Sequence, residues 1–186
     1  MAGKIKHLTD FLVGLGTEKV AHSGENFLAH LIAVYRDLES WGCEEAVCLG
    51  GMFHSIYGTE LFQRFSLPLE RRGDVRELIG ERAERLCYLN SAMDRASFDT
   101  ILADSFDTIP EKSRPFRMVD RFTGEEVTLT PREFEDLCTI HLCDFLEQLP
   151  RSKIWNYRRD AYRRLAEHLR GVAGESYDRV YALEPT

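Results

Sequence analysis

No apolar run in this chain approaches the ~20 residues that a membrane-spanning helix requires, so a membrane partner is not expected. The opening stretch "MAGKIKHLTDFLVGLG" also lacks the apolar centre and small-residue cleavage pattern of a signal peptide, which makes a cytoplasmic location the expectation. Cysteine is sparse and unpaired in pattern. Cys43, Cys48, Cys87, Cys138 and Cys143 are odd in number and form no CxxC. A disulfide framework or zinc ribbon is therefore not expected, and the thiols read as structural in the absence of an activating environment. Basic residues are outnumbered, 24 Lys and Arg against 31 Asp and Glu, for a net charge of −7. A nucleic-acid partner would need clustered cations to displace counterions. The one basic cluster, "YRRDAYRR", is interrupted by Asp160 and reads as the solvated face of a helix.

What is present is helical periodicity. Ile5, Leu8, Phe11 and Leu12 predict a helix over 4–14, and Phe27, Leu31, Val34, Leu38 and Trp41 predict a second, capped by Ser23 and ended by Gly42. A third is expected over 44–56, stopping at Tyr57-Gly58, and a fourth through "DVRELIGERAERLCYLNSAM". Residues 97–115 are less regular, and Pro110 and Pro115 argue for a loop. "FRMVDRFTGEEVTLT" alternates about Thr123-Gly124 and predicts a small surface β-hairpin near 116–130. Thr130, Pro131 and Glu133 then form a capping box for a helix running to Pro150, and a last helix is expected over 157–170. With no repeat and no linker, residues 1–186 read as a single all-α domain carrying a hairpin insertion.

Several polar side chains sit where core belongs. In the capped helix His141 shares the apolar stripe of Phe134, Leu137, Cys138 and Phe145, and Asp144 follows at i+3. His30 falls between Phe27 and Val34, and His54 lies behind Phe53 and two glycines. Helical glycines each cost roughly 1 kcal/mol against alanine, so Gly50 and Gly51 point to a close helix approach. Buried imidazole and carboxylate are expensive unless paired or bound to metal. Their convergence from three helices points to a divalent transition metal, zinc, iron, manganese or nickel, held by His30, His54, His141 and Asp144.

The segments "AHLIAVYRDLESWGCEEAVCLGGMFHSIYGT" and "IHLCDFLEQ" resemble the HD-domain superfamily of His/Asp metal-dependent proteins. The likeness is closer still to a family carrying an "FHSIYGT" block, of no established activity. The resemblance implies an HD-like helical bundle in which His30 matches the superfamily's first histidine. His54 matches the dyad histidine, and Asp144 the last aspartate. Ser55 stands where that superfamily has the dyad aspartate, which bridges two metals in its dinuclear members, so a single metal is implied here.

Around this set His22 is placed to contact substrate or supply a further ligand. Tyr57 and Glu60 are expected at the mouth as hydrogen-bond donor and general base. Glu147 and Gln148 are expected behind the metal, orienting a ligand imidazole through its other nitrogen. The function expected is metal-dependent hydrolysis of a small molecule, at a phosphoester or related bond. An iron oxygenase related to the myo-inositol oxygenase branch, and a non-catalytic binding module on a degenerate HD fold, stand as alternatives. A homodimer stays open.

Overall fold

The computed structural model describes residues 2–107 and 116–185, with side chains described for 5–103 and 116–185. Helix α1 (Ala2–Gly14) leads into a two-residue ladder, β1 (Ala21–His22) paired antiparallel with β2 (Glu25–Asn26). Ser23 and Gly24 both take positive φ between these strands, at 41° and 85°. Ser23 is therefore a turn residue, and the cap expected of it belongs to Asn26, whose side chain accepts from Ala29 N at 2.8 Å. Helix α2 (Phe27–Ser40) follows, then α3 (Glu45–Met52).

Helix α3 ends earlier than its apolar pattern suggests. Phe53 leaves helical geometry, and residues 53–57 form consecutive turns, so His54 is carried by a turn rather than a helix. The two glycines before it do what their spacing predicts. A Cβ on Gly51 would stand 2.1 Å from Leu38 Cδ1 of α2, and one on Gly50 would stand 3.1 Å from Leu86 Cβ. Their absence lets α3 lie close to α2 on one side and to the next layer on the other.

The fourth expected helix is two: α4 (Arg72–Ile79) and α5 (Glu81–Ala92), separated by Gly80 at φ 88°, a conformation that glycine adopts without strain. Residues expected as loop from 97 are helical in α6 (Arg95–Asp107), while the loop expectation at 108–115 lies outside the described residues. Strands β3 (Phe116–Val119) and β4 (Glu126–Leu129) form the expected hairpin with Phe116 opposite Leu129. It is more than a surface decoration. Met118 and Leu129 are fully buried, and Phe116 stacks on Phe134 at 4.2 Å between centroids.

Helix α7 (Pro131–Ser152) opens on the full capping box, Thr130 Oγ1 accepting from Glu133 N and Glu133 accepting from Thr130 N. It runs two residues beyond Pro150. The C-terminal helix is shorter than expected, α8 (Arg159–Leu169), and a further helix, α9 (Gly171–Tyr181), follows it. The result is the mostly helical architecture read from the sequence, with two small strand pairs among the described residues. Helix α7 packs against α2, α3, α5, α8 and α9 and so forms the axis of the bundle. Val34, Leu38, Leu86, Leu137 and Ile140 form the heart of one core cluster. Leu8, Leu12, Phe27, Leu31 and Phe53 lie in a second, under α1. No helix among the described residues is long and apolar enough to cross a membrane.

Candidate metal centre

Three chain segments meet between these clusters. His30 comes from the first turn of α2, His54 from the turn after α3, and Asp144 from the middle of α7. One donor atom from each lies within 4.8 Å of the other two. Both Nε2 atoms face the same oxygen, Asp144 Oδ1, at 3.1 Å from His30 and 3.4 Å from His54. The two imidazoles stand nearly perpendicular, with ring planes at 77° and centroids 5.2 Å apart.

The opposite nitrogens are fixed by the protein. His30 Nδ1 donates to Glu147 Oε2 at 2.6 Å, and His54 Nδ1 donates to the carbonyl of Gly51 at 2.7 Å. A carbonyl or an ionised carboxylate only accepts, so each Nδ1 carries a proton and each ring turns its Nε2 toward Asp144. Glu147 is itself held by Arg151, whose Nη2 lies 2.7 Å from both carboxylate oxygens. Gln148 serves the carboxylate rather than an imidazole. Its Nε2 donates to Asp144 Oδ1 at 3.1 Å, and its Oε1 accepts from Ser23 Oγ at 2.8 Å.

The charges follow from this packing. Burial opposes a charged His30, yet the carboxylates of Asp144 and Glu147 hold its pKa up to about 9. Burial likewise opposes an ionised Asp144, and the imidazoles of His54 and His30 overcome it, keeping the carboxyl well below its usual range. His22, on β1, stacks on His30 with centroids 4.2 Å apart and meets the Phe62 ring edge-on at 4.7 Å. Burial first, and His30 second, lower its pKa to about 4, so it is neutral near pH 7. Its buried Nδ1 has no hydrogen-bond partner among the described residues.

A divalent transition metal fits this donor set. His30 Nε2 is fully buried and meets no hydrogen-bond geometry among the described residues, although the anionic Asp144 Oδ1 lies 3.1 Å away and a second imidazole faces the same oxygen, a place that favours positive charge. Two imidazoles and one carboxylate match the sites of catalytic zinc and of non-haem iron, which keep further positions open. Asp144 and Ser55 line a cavity of about 370 Å³ that opens beside them, with His22, Phe62, Arg95 and Tyr162 among its walls.

Three expected residues stand elsewhere. His141 is buried on α7, but it points one turn away from Asp144 into α8, where its Nε2 lies 3.3 Å from Tyr162 Oη and its ring stacks on that tyrosine. It is not a fourth ligand in this arrangement. Burial, then Arg95, depress its pKa to about 3. Tyr57 does not reach the cavity mouth. It is buried in the second core cluster and donates to Glu84 Oε1 at 3.1 Å, beside Arg72, which pairs with the same carboxylate at 2.6 Å. Glu60 is exposed and accepts from the backbone N–H of Arg95 at 2.9 Å, so it caps the start of α6 instead of serving as a base.

Arg151, Arg95 and Tyr162 carry parts of the site that sequence reasoning passed over. For Arg151 a signal existed, since it follows Glu147 at i+4 on one helix. Arg95 and Tyr162 reach the cavity only through the packing of α6 and α8. The segment 11–95 matches a family described as a domain of unknown function, DUF6817. That span holds His22, His30, His54 and Ser55 and stops short of Asp144. No curated protein and no solved structure matches the chain. The established likeness is thus to a family without an assigned activity, over the part of the chain that supplies both imidazoles.

Proposed function

We propose that the protein is a mononuclear metal-dependent hydrolase acting on a small molecule, with His30, His54 and Asp144 as the metal ligands. The observation that carries this reading is the shared orientation of the two Nε2 atoms toward Asp144 Oδ1, each imidazole anchored behind by its Nδ1–H. Anchoring of that kind fixes tautomer and ring orientation, and a ring-locked pair beside an open cavity is the arrangement a catalytic site needs. A divalent metal held there would supply Lewis acidity and a water of lowered pKa. Around it the chain's own groups divide the work. Gln148 holds the Asp144 carboxylate in place, Arg151 pairs with Glu147 behind His30, and neutral His22 stands at the cavity wall with a ring nitrogen able to accept a proton. Ser55 leaves the position beside His54 without a carboxylate, which supports one metal over two. The HD-like reading of the bundle rests on the sequence resemblance together with this trio.

The same two-histidine, one-carboxylate set also suits ferrous iron, so oxygen chemistry is the second reading. Metal analysis of protein purified without a histidine tag separates them. About one equivalent of zinc, nickel or manganese per chain, with chelator-sensitive hydrolysis, supports the proposal. Iron accompanied by visible absorbance moves the reading to an oxygenase. A chain that takes up no metal is a binding module.

A further inference from the structure

The cavity beside the trio has two features that the metal ligands do not explain. Arg64 and Arg95 both line it, and neither side chain makes an ion pair among the described residues. Most of the other arginines around the molecule are paired, including Arg72 with Glu84, Arg82 with Asp136, Arg151 with Glu147 and Arg158 with Asp99. Arg95 is half-buried, and its charge reaches inward strongly enough to depress His141. A guanidinium partly removed from water and held in no ion pair among the described residues is a standing site for an anion.

The second feature is apolar. Leu61, Ile154 and Tyr157 are exposed by 64%, 44% and 38%, and all three border this same cavity. Phe62 and Phe145 continue the apolar surface inward. Large exposed hydrophobic side chains gathered at one opening mark a surface that is covered during function.

We infer that the cavity binds a small amphiphilic anion, its charged group held by Arg95 and Arg64 and its apolar body lying against Leu61, Ile154 and Tyr157. The inference names the substrate class of the proposed hydrolase and rests on that reading for its catalytic meaning, though not for binding. The anion is a carboxylate or a phosphate ester, both of which a guanidinium recognises through the same paired oxygens. At about 370 Å³ the cavity admits one ring or a short chain rather than a polymer.

The test is calorimetric binding of four probes: phenyl phosphate, 3-phenylpropionate, 3-phenylpropanol and inorganic phosphate. Each is titrated into the wild-type chain before and after chelation, and into Arg95→Gln, Arg95→Lys and the exposed-site variant Arg64→Gln. The expected result is that at least one aryl anion binds roughly tenfold or more tightly than both the neutral alcohol and inorganic phosphate. Chelated protein should keep that preference, Arg95→Gln should lose it, and Arg95→Lys should keep part of it. Which aryl anion wins decides between carboxylate and phosphate. Anions binding no better than the alcohol would overturn the inference. So would a preference that disappears on chelation, since the metal and not the arginines would then hold the anion, or one that survives both Arg95→Gln and Arg64→Gln. If the preference is present in a chain that takes up no metal, the hydrolase reading fails while the anion site stands.

Discussion

Single side chains decide whether the His30–His54–Asp144 trio holds a metal. Glu147 is the clearest, since it turns His30 by its Nδ1 and has no other route to the site. Glu147→Gln keeps the shape but removes the charge that favours the Nδ1–H tautomer. Metal affinity should fall about 10- to 100-fold, measured by competition with a chromophoric chelator, with helical content unchanged. His141 gives a prediction of another kind. It is buried and neutral, its pKa lowered to about 3 against 6.5 in the unfolded chain. The unfolded state therefore binds the extra proton first as pH falls. His141's contribution is fully present above pH 6.5 and is lost progressively between 6.5 and about 3. His141→Gln should flatten the acid limb of a stability-against-pH curve by up to about 1.4 kcal/mol per pH unit, the slope of one proton. A variant whose acid limb parallels the wild type would show that His141 is not a buried neutral group. His141 also marks where sequence reading stops. Helical spacing shows that a residue faces inward, but not which neighbour it meets. One turn along α7 separates a ligand beside α2 from a histidine stacked on α8.

At the scale of elements, the legible features were the local ones. The capping box at Thr130 and Glu133 and the two close-packing glycines are written within a few residues, and the structure has both as read. What was not legible depended on backbone strain or on partners far away. The Ser23-Gly24 turn displaced the cap of α2 by three residues, Gly80 cut one periodic stretch into two helices, and α9 forms from a glycine-bearing segment by packing on α7 and α8. The turn after α3 matters most, because it carries His54. Gly51→Ala would drive a methyl to within 2.1 Å of the buried Leu38 Cδ1 and 3.2 Å of Val34 Cγ1. We expect a loss of about 1–3 kcal/mol in denaturant unfolding, as for other overpacked cores. Leu38→Ala in the same chain should recover part of that interference, so that the two changes together cost less than their sum. Additive losses would mean that α3 gives way instead of pressing on α2.

Across the whole molecule, the proposed ligands tie together elements that are distant in sequence. His30 and Asp144 are 114 residues apart, and the segment between them includes α3 to α6 and the hairpin. An unfolded chain has no preformed site, so the metal affinity proposed for the trio would belong to the native state and add to its stability. At 100-fold excess over the dissociation constant that gain is about 2.7 kcal/mol. For a chain of this length it corresponds to roughly a 5–10 °C rise in Tm. Thermal unfolding with zinc, nickel or manganese and with chelator measures it directly. His54→Gln should unfold at the same temperature under both conditions. A wild type equally indifferent to metal and chelator would remove the metal centre and leave the trio as a buried ion-pair cluster.

The two imidazoles are locked by different means, and the difference bears on how the site can change over generations. His30 takes its tautomer from a side chain, Glu147, which a single base change can replace. His54 takes its tautomer from the backbone carbonyl of Gly51, which no substitution removes and only a rearranged turn can move. For the proposed metal centre, a change in metal preference would run through side-chain supports such as the Glu147–Arg151 pair behind His30. Relatives that bind a different ion should differ at that pair and keep the turn that holds His54.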